Sequence, residues 1–161
     1  MYRSETQTAL SKNILYFLRW TAISIVMGIV CGLIGTVFGY GVIYAQRLFK
    51  TYSFMLYLMP VAGVLIVLLH QMFHEIGNRG TNLILESISS NEKIHMTTLP
   101  CIFVSTILSQ AVGASAGKEG AALQIGGCIG NYLGDLCHMD ERDKKVMIMS
   151  GMSGGFGASF G

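Results

Sequence analysis

Residues 20–46 read WTAISIVMGIVCGLIGTVFGYGVIYAQ, with no Asp, Glu, Lys or Arg among them. An α-helix needs about 20 apolar residues to cross the hydrocarbon core of a bilayer, and this run is long enough. Working outward, residues 51–74 and 94–117 are free of the same four residue types. A soluble helical core would carry polar faces at helical period, and these runs show none. The whole chain of 161 residues is 52% hydrophobic and 12% charged, against about 25% charged in soluble domains. The reading is an all-α integral membrane protein.

Composition also excludes. The net charge of +2 comes without a basic cluster that could hold nucleic acid. Cys31, Cys101, Cys128 and Cys137 lack the close paired spacing of a zinc or redox site and read as buried small hydrophobes. No nucleophile–base pair or metal triad points to an enzyme, and no cofactor is expected. His70 and His74 would share a helix face beside Glu75, but the order is not His-Glu-x-x-His and no third ligand follows. They read as the end of a spanning helix. The first apolar run is too long for a signal peptide.

The polar residues 1–13 predict a solvated tail or surface helix, and a long helix is expected from about Ile14 to Phe49. That is roughly 50 Å at 1.5 Å per residue, longer than the ~30 Å core, so tilt or projection is expected. Gly28, Gly32, Gly35 and Gly39 have small-xxx-small spacing and predict close packing of this helix on another. Arg47, Lys50, Tyr52 and Tyr57 mark an interface at the following turn. Lys12 and Arg19 balance Arg47 and Lys50, so the positive-inside rule gives no orientation. A second helix is expected over about 53–74 with Pro60 early, where a missing N–H does least damage.

Residues 75–99 turn polar. Thr81 or Asn82 can cap a short helix after Gly80, either a surface helix in a connecting loop or a half-helix whose N–H groups meet an anion. A third spanning run covers about 98–113, a fourth about 121–137. Asp140 to Lys145 reads as a mixed-charge turn, and a glycine-rich segment from Val146 to Gly161 ends as an incomplete span.

One charged pair stands apart. Residues 113–130 read GASAGKEGAALQIGGCIG, with Lys118 and Glu119 between glycines. A phosphate loop is ruled out: its first glycine would fall at Val112, and Glu119 occupies the place of the magnesium-binding Ser or Thr. A helix start offers free N–H groups and about half a positive charge, to which Lys118 adds. Such a place stabilises an anion and equally the Glu119 carboxylate. One side chain can then occupy the anion's place when ionised and leave it when protonated, coupling anion to proton movement.

Gly117-Lys118-Glu119-Gly120-Ala121 with Gln124-Ile125-Gly126-Gly127 resembles the Gly-Lys/Arg-Glu-Gly-Pro signature of the CLC chloride channels and proton-coupled exchangers. The polar stretch upstream lies where that family has Gly-Ser-Gly-Ile-Pro. Residues 151–161, GMSGGFGASFG, are similar to its segment before Asn-Ala-Pro. The resemblance implies an all-α, CLC-type homodimeric bundle of two inverted repeats with an anion pathway in each subunit. Residues 14–161 would supply an incomplete first repeat. It implies halide anions and protons as partners; composition supplies the lipid bilayer, and with no organelle signal evident a bacterial inner membrane is the expected location. It implies that Glu119 is the gating, proton-coupling carboxylate and that Gly117, Lys118 and Gly120 form the anion-binding helix start. Gly80, Thr81, Asn82, Leu83 and Ile84 would line the central anion site.

Two departures bear on the ion. Ala121 stands where chloride-type members have proline, and Gly-Thr-Asn-Leu-Ile at 80–84 replaces Gly-Ser-Gly-Ile-Pro, with a second register at 77–81. Both variants are similar to the bacterial fluoride-exporting branch. A reading from another class is a non-transporting membrane fragment.

Overall fold

A computed structural model describes residues 2–73, 84, 94–114 and 118–160. Among these residues the ordered elements are all helical. Helix α1 spans Tyr2–Thr51, a 3₁₀ segment Ser53–Leu58, α2 Met59–Met72, α3 Thr98–Ala111, α4 Lys118–Leu136 and α5 Glu141–Phe160.

The 50 residues of α1 extend about 75 Å at 1.5 Å each, more than twice the hydrocarbon core. Met27, Cys31, Phe38, Val42 and Ala45 are buried along it, a three-and-four spacing that keeps one seam facing inward. Leu33, Val37, Tyr40 and Tyr44 are exposed on the remaining surface. The seam runs parallel to both α3 and α5. Phe38 meets Phe103 with ring centroids 5.4 Å apart, and Gln46 Nε2 donates to Gln110 Oε1 at 3.0 Å. The Phe49 ring lies over Gly113.

Among the described residues, the glycine expectation is met at Gly35 and not at Gly28, Gly32 or Gly39. A Cβ on Gly35 would come within 2.6 Å of Ala158 Cβ, so α1 and α5 approach closely there. At Gly28, Gly32 and Gly39 no atom of the described residues comes within 4 Å of where a Cβ would sit. Spacing identified the stripe, but the face of α1 that packs is the one carrying Cys31 and Phe38.

The closest helix pair is α4 with α5, which run antiparallel. Ala122, Gly126, Gly130 and Gly134 recur every fourth residue on α4, opposite Gly155, Gly151, Met147 and Lys144 of α5. A side chain on Gly126 would run into the Gly151 carbonyl oxygen, one on Gly151 into that of Gly126, and one on Gly130 into that of Met147. Backbone lies on backbone, an arrangement that small residues permit and dispersion stabilises. Ala121, Ala122, Ile125 and Ile129 then complete the core with Met27, Cys31, Phe38, Val42 and Met147.

Helix ends are set by local chemistry. Pro60 lies in the first turn of α2, where no N–H is needed. At the end of α3, Gly113 adopts φ 84°; its N–H bonds the Gln110 carbonyl and that of Ala114 the Ser109 carbonyl. This is a Schellman closure with glycine in the left-handed position. The end of α4 repeats it with His138 at φ 49°, the N–H groups of His138 and Met139 reaching the Asp135 and Gly134 carbonyls. The mixed-charge run is a helix start rather than a turn. Glu141 and Asp143 occupy the first turn of α5, where the dipole favours acidic side chains, and the Lys144 N–H bonds the Asp140 carbonyl.

The exterior is apolar. Leu15, Phe17, Tyr57, Val64, Leu68 and Met72 are exposed, and residues 13–51 and 54–72 are each long and apolar enough to cross a bilayer. So large an exposed apolar surface suits lipid contact. Of the cysteines, Cys31, Cys101 and Cys128 are buried and Cys137 partly so, and none of the four forms a disulfide.

Candidate functional site

Lys118 is the first residue of α4 and Glu119 the second. The leading N–H groups of any α-helix lack intrahelical acceptors, so those of Lys118 to Ala121 converge at this end. The Glu119 side chain is exposed, while Lys118 and Gly120 are half-buried. Gly117 lies outside the described residues.

Contacts along the bundle give the depth of this helix start. Ala122 of α4 is level with Gly155 of α5, and Ala158, one turn on, is level with Gly35 of α1. Glu119 precedes Ala122 by about 4.5 Å at 1.5 Å per residue, the same rise that separates Ala158 from Gly155. The Lys118–Glu119 pair therefore stands about level with Gly35, near the middle of the charge-free run of residues 20–46. A cation, a carboxylate and a helix N-terminus meet where the surrounding helices carry no charge.

Of the second stretch, 80–84, only Ile84 is described; Gly80, Thr81, Asn82 and Leu83 lie outside the described residues. Ile84 is fully buried, in a cluster with Ile94, Cys128 and Ile148, flanked by Leu99 and Met152. It rests on Gly127 of α4, where a Cβ would come within 2.7 Å of Ile84 Cγ2 and 3.3 Å of Met152 Cγ. One turn further along, Asn131 Nδ2 donates to the Ile94 carbonyl at 3.3 Å, and Asn131 is buried. Helix α4 thus carries the charged pair at its start. About 12 Å further along, at 1.5 Å per residue, it receives the end of the other stretch.

The contacts of Gly127 and Asn131 were not foreseen from the sequence. Asn131 is a polar side chain inside the apolar pattern of α4, which is the signal that could have marked it. Gly127 gave none, because a glycine that seats a distant side chain looks like any other. The histidine pair is not tested as a unit: His70 Nδ1 lies 2.9 Å from the Ile66 carbonyl of its own helix, and His74 is outside the described residues.

Comparison with known proteins gives this arrangement a family. The chain matches the voltage gated chloride channel family over residues 1–99 and 63–161. It is 29% identical over 147 residues to a chloride/fluoride channel protein of Pseudomonas syringae pv. tomato, covering 91% of this chain and 32% of that protein. It is 28% identical over 150 residues to the H(+)/Cl(-) exchange transporter ClcA of Citrobacter koseri, covering 84% and 32%. Among solved structures, a CLC-type fluoride/proton antiporter superposes with a TM-score of 0.80 at 30% identity, over 86% of this chain and 35% of that one. The chain spans about a third of the length of these relatives. Helical architecture, apolar exterior and family match agree: the chain belongs to the voltage-gated chloride channel (CLC) family of membrane proteins.

Proposed function

We propose that the protein containing this chain carries halide anions across a membrane, with the Glu119 carboxylate competing with the anion for the N-terminus of α4. The observation that carries the reading is the Lys118–Glu119 pair at a helix start level with the middle of a charge-free run. Ionised, the carboxylate satisfies the convergent N–H groups; protonated, it withdraws and leaves them to the anion. Lys118 supports either occupant. Gly117, Gly120 and the stretch from Gly80 to Ile84 complete the anion path. The working protein is a homodimer of two-repeat subunits, each with its own path, in a bacterial inner membrane. The relatives, named as channel, exchanger and antiporter, support an anion as cargo.

A specific observation favours fluoride with proton antiport over chloride. Gly-Thr-Asn-Leu-Ile at 80–84 and Ala121 after Gly120 are similar to the fluoride-exporting branch, and two of the relatives carry fluoride in their names. The test is efflux of fluoride and chloride from liposomes holding the protein made from its complete reading frame, with and without a proton gradient. Fluoride efflux that drives proton uptake is expected, and Glu119→Gln should abolish the proton movement. Proton pumping that survives Glu119→Gln would remove the carboxylate from the mechanism. Efflux no faster than from empty liposomes would leave the fragment reading.

A further inference from the structure

We propose that the groove between α1 and the end of α4 binds one anionic phospholipid, an acyl chain lying in the groove and the phosphate meeting Arg19. The site is separate from the charged pair at the start of α4 and does not depend on what that pair does. Ala22, Ile23 and Val26 of α1 meet Leu133 and Cys137 of α4 around a cavity of about 160 Å³. Ala22 and Val26 are exposed and the other three half-buried, so the space opens at the surface of the bundle. Apolar cavities of about 150 Å³ stay dry and accept hydrocarbon such as benzene. An acyl chain fills such a space where water gains nothing.

Depth is the first observation that selects the occupant. Helix α1 leaves its charge-free run at Arg19. Beside it the rings of Tyr16 and Trp20 lie 6.1 Å apart, and Trp and Tyr favour the boundary between hydrocarbon and headgroups. Helix α4 ends at Leu136, and polar residues follow from His138 to Lys145. Both walls of the groove therefore reach the membrane surface at the same end, with the cavity just inside it.

Charge is the second. Arg19 precedes Ala22 by three residues and Ile23 by four, which puts it on the face of α1 that lines the groove. Helical side chains lean towards the N-terminus, so Arg19 leans away from the cavity and out to headgroup level, its stem along apolar surface. Arg19 is exposed and, among the described residues, makes no ion pair, whereas Lys144 is paired with Asp135. A guanidinium offers two parallel N–H donors to two phosphate oxygens. From Arg19 to Val26 is about 10 Å at 1.5 Å per residue, the run from a headgroup into the first part of its acyl chain. A bare hydrocarbon would leave the guanidinium unmatched, and a soluble anion would leave the groove empty. A phospholipid satisfies both.

The test places the protein made from its complete reading frame in phosphatidylcholine liposomes doped with a phospholipid that carries a photoreactive diazirine in its acyl chain. The probe has either a phosphatidylglycerol or a phosphatidylcholine headgroup, and crosslinked residues are mapped by peptide mass spectrometry. Crosslinks from the phosphatidylglycerol probe are expected to concentrate on the groove, above the level at Val61 and Val64, which are exposed on α2. The phosphatidylcholine probe should label the groove less. Arg19→Gln should lower groove labelling by the anionic probe about fivefold, equivalent to the ~1 kcal/mol that one basic residue gains beside anionic lipid, and leave α2 unaffected. Ala22→Phe fills the groove from an exposed position and should abolish its labelling with Arg19 in place. Labelling no denser in the groove than on α2, equal for the two probes, or unaltered by Arg19→Gln overturns the proposal. So does a groove that neither probe labels, the result expected if another part of the complete protein covers it.

Discussion

His138 shows how a single residue carries conformational cost. It holds the left-handed position that closes α4, at φ 49°, and a side chain there costs about 1–2 kcal/mol. His138→Gly should stabilise the protein by about 1 kcal/mol if the histidine does nothing else, read as a higher midpoint of thermal unfolding in detergent. A lower midpoint would mean that the imidazole makes a contact worth more than the strain. The neighbouring ion pair is a contrast. Lys144 Nζ lies 2.5 Å from Asp135 Oδ1, but the Asp135 side chain is 57% exposed, and exposed pairs contribute about 0–1 kcal/mol. Asp135→Asn should leave the midpoint nearly unchanged. Glu119 stands out in the sequence because charge in an uncharged tract is visible without any fold. What its carboxylate faces depends on segments distant in sequence.

Among the helices, the α4–α5 contact is the one most sensitive to volume. Gly130 has the backbone of Met147 and Ile148 against it, while Gly134 faces the Cγ of Lys144 at 3.1 Å, part of a long flexible side chain. Gly130→Leu should force the helices apart and cost on the order of 3 kcal/mol or more, with loss of the monodisperse peak in detergent. Gly134→Ala should cost less than about 1 kcal/mol, because the lysine can swing away. Equal losses from the two substitutions would mean that the crossing is not held by backbone contact at Gly130. Helix existence was legible from the uncharged runs, and boundaries agree to within a few residues except at α1, which begins at Tyr2 and not near Ile14, and at α5. There Glu141 to Lys145 extends the helix upstream, since acidic residues belong in a first turn as naturally as in a loop. Which glycines would touch was not legible: Gly28 and Gly32 are four apart like the members of the α4 stripe, but among the described residues nothing stands opposite them.

For the molecule as a whole, the distribution of apolar surface decides its solvent. The outward sides of α1 and α2 are lined by Leu33, Val37, Val61, Val64 and Leu68, and lipid can cover them without hydrogen-bonding cost. Membranes from cells expressing the protein, washed in alkaline carbonate, should retain it, and detergent should release it. Recovery in the wash would contradict membrane integration.

The sequence by itself determined the solvent, the helices and the charged pair set inside an otherwise uncharged tract, because hydropathy and charge are properties of residues and need no partners. It also carried the family, through motifs whose order survives without geometry. Tertiary structure alone decided which faces meet: that α4 lies backbone-to-backbone on α5, that Gly35 and Gly41 of α1 meet neighbours while Gly28 and Gly32 meet none among the described residues, and that Ile84 rests on Gly127. Close contact depends on what stands opposite a residue, and a glycine with a neighbour is spelled the same as one without.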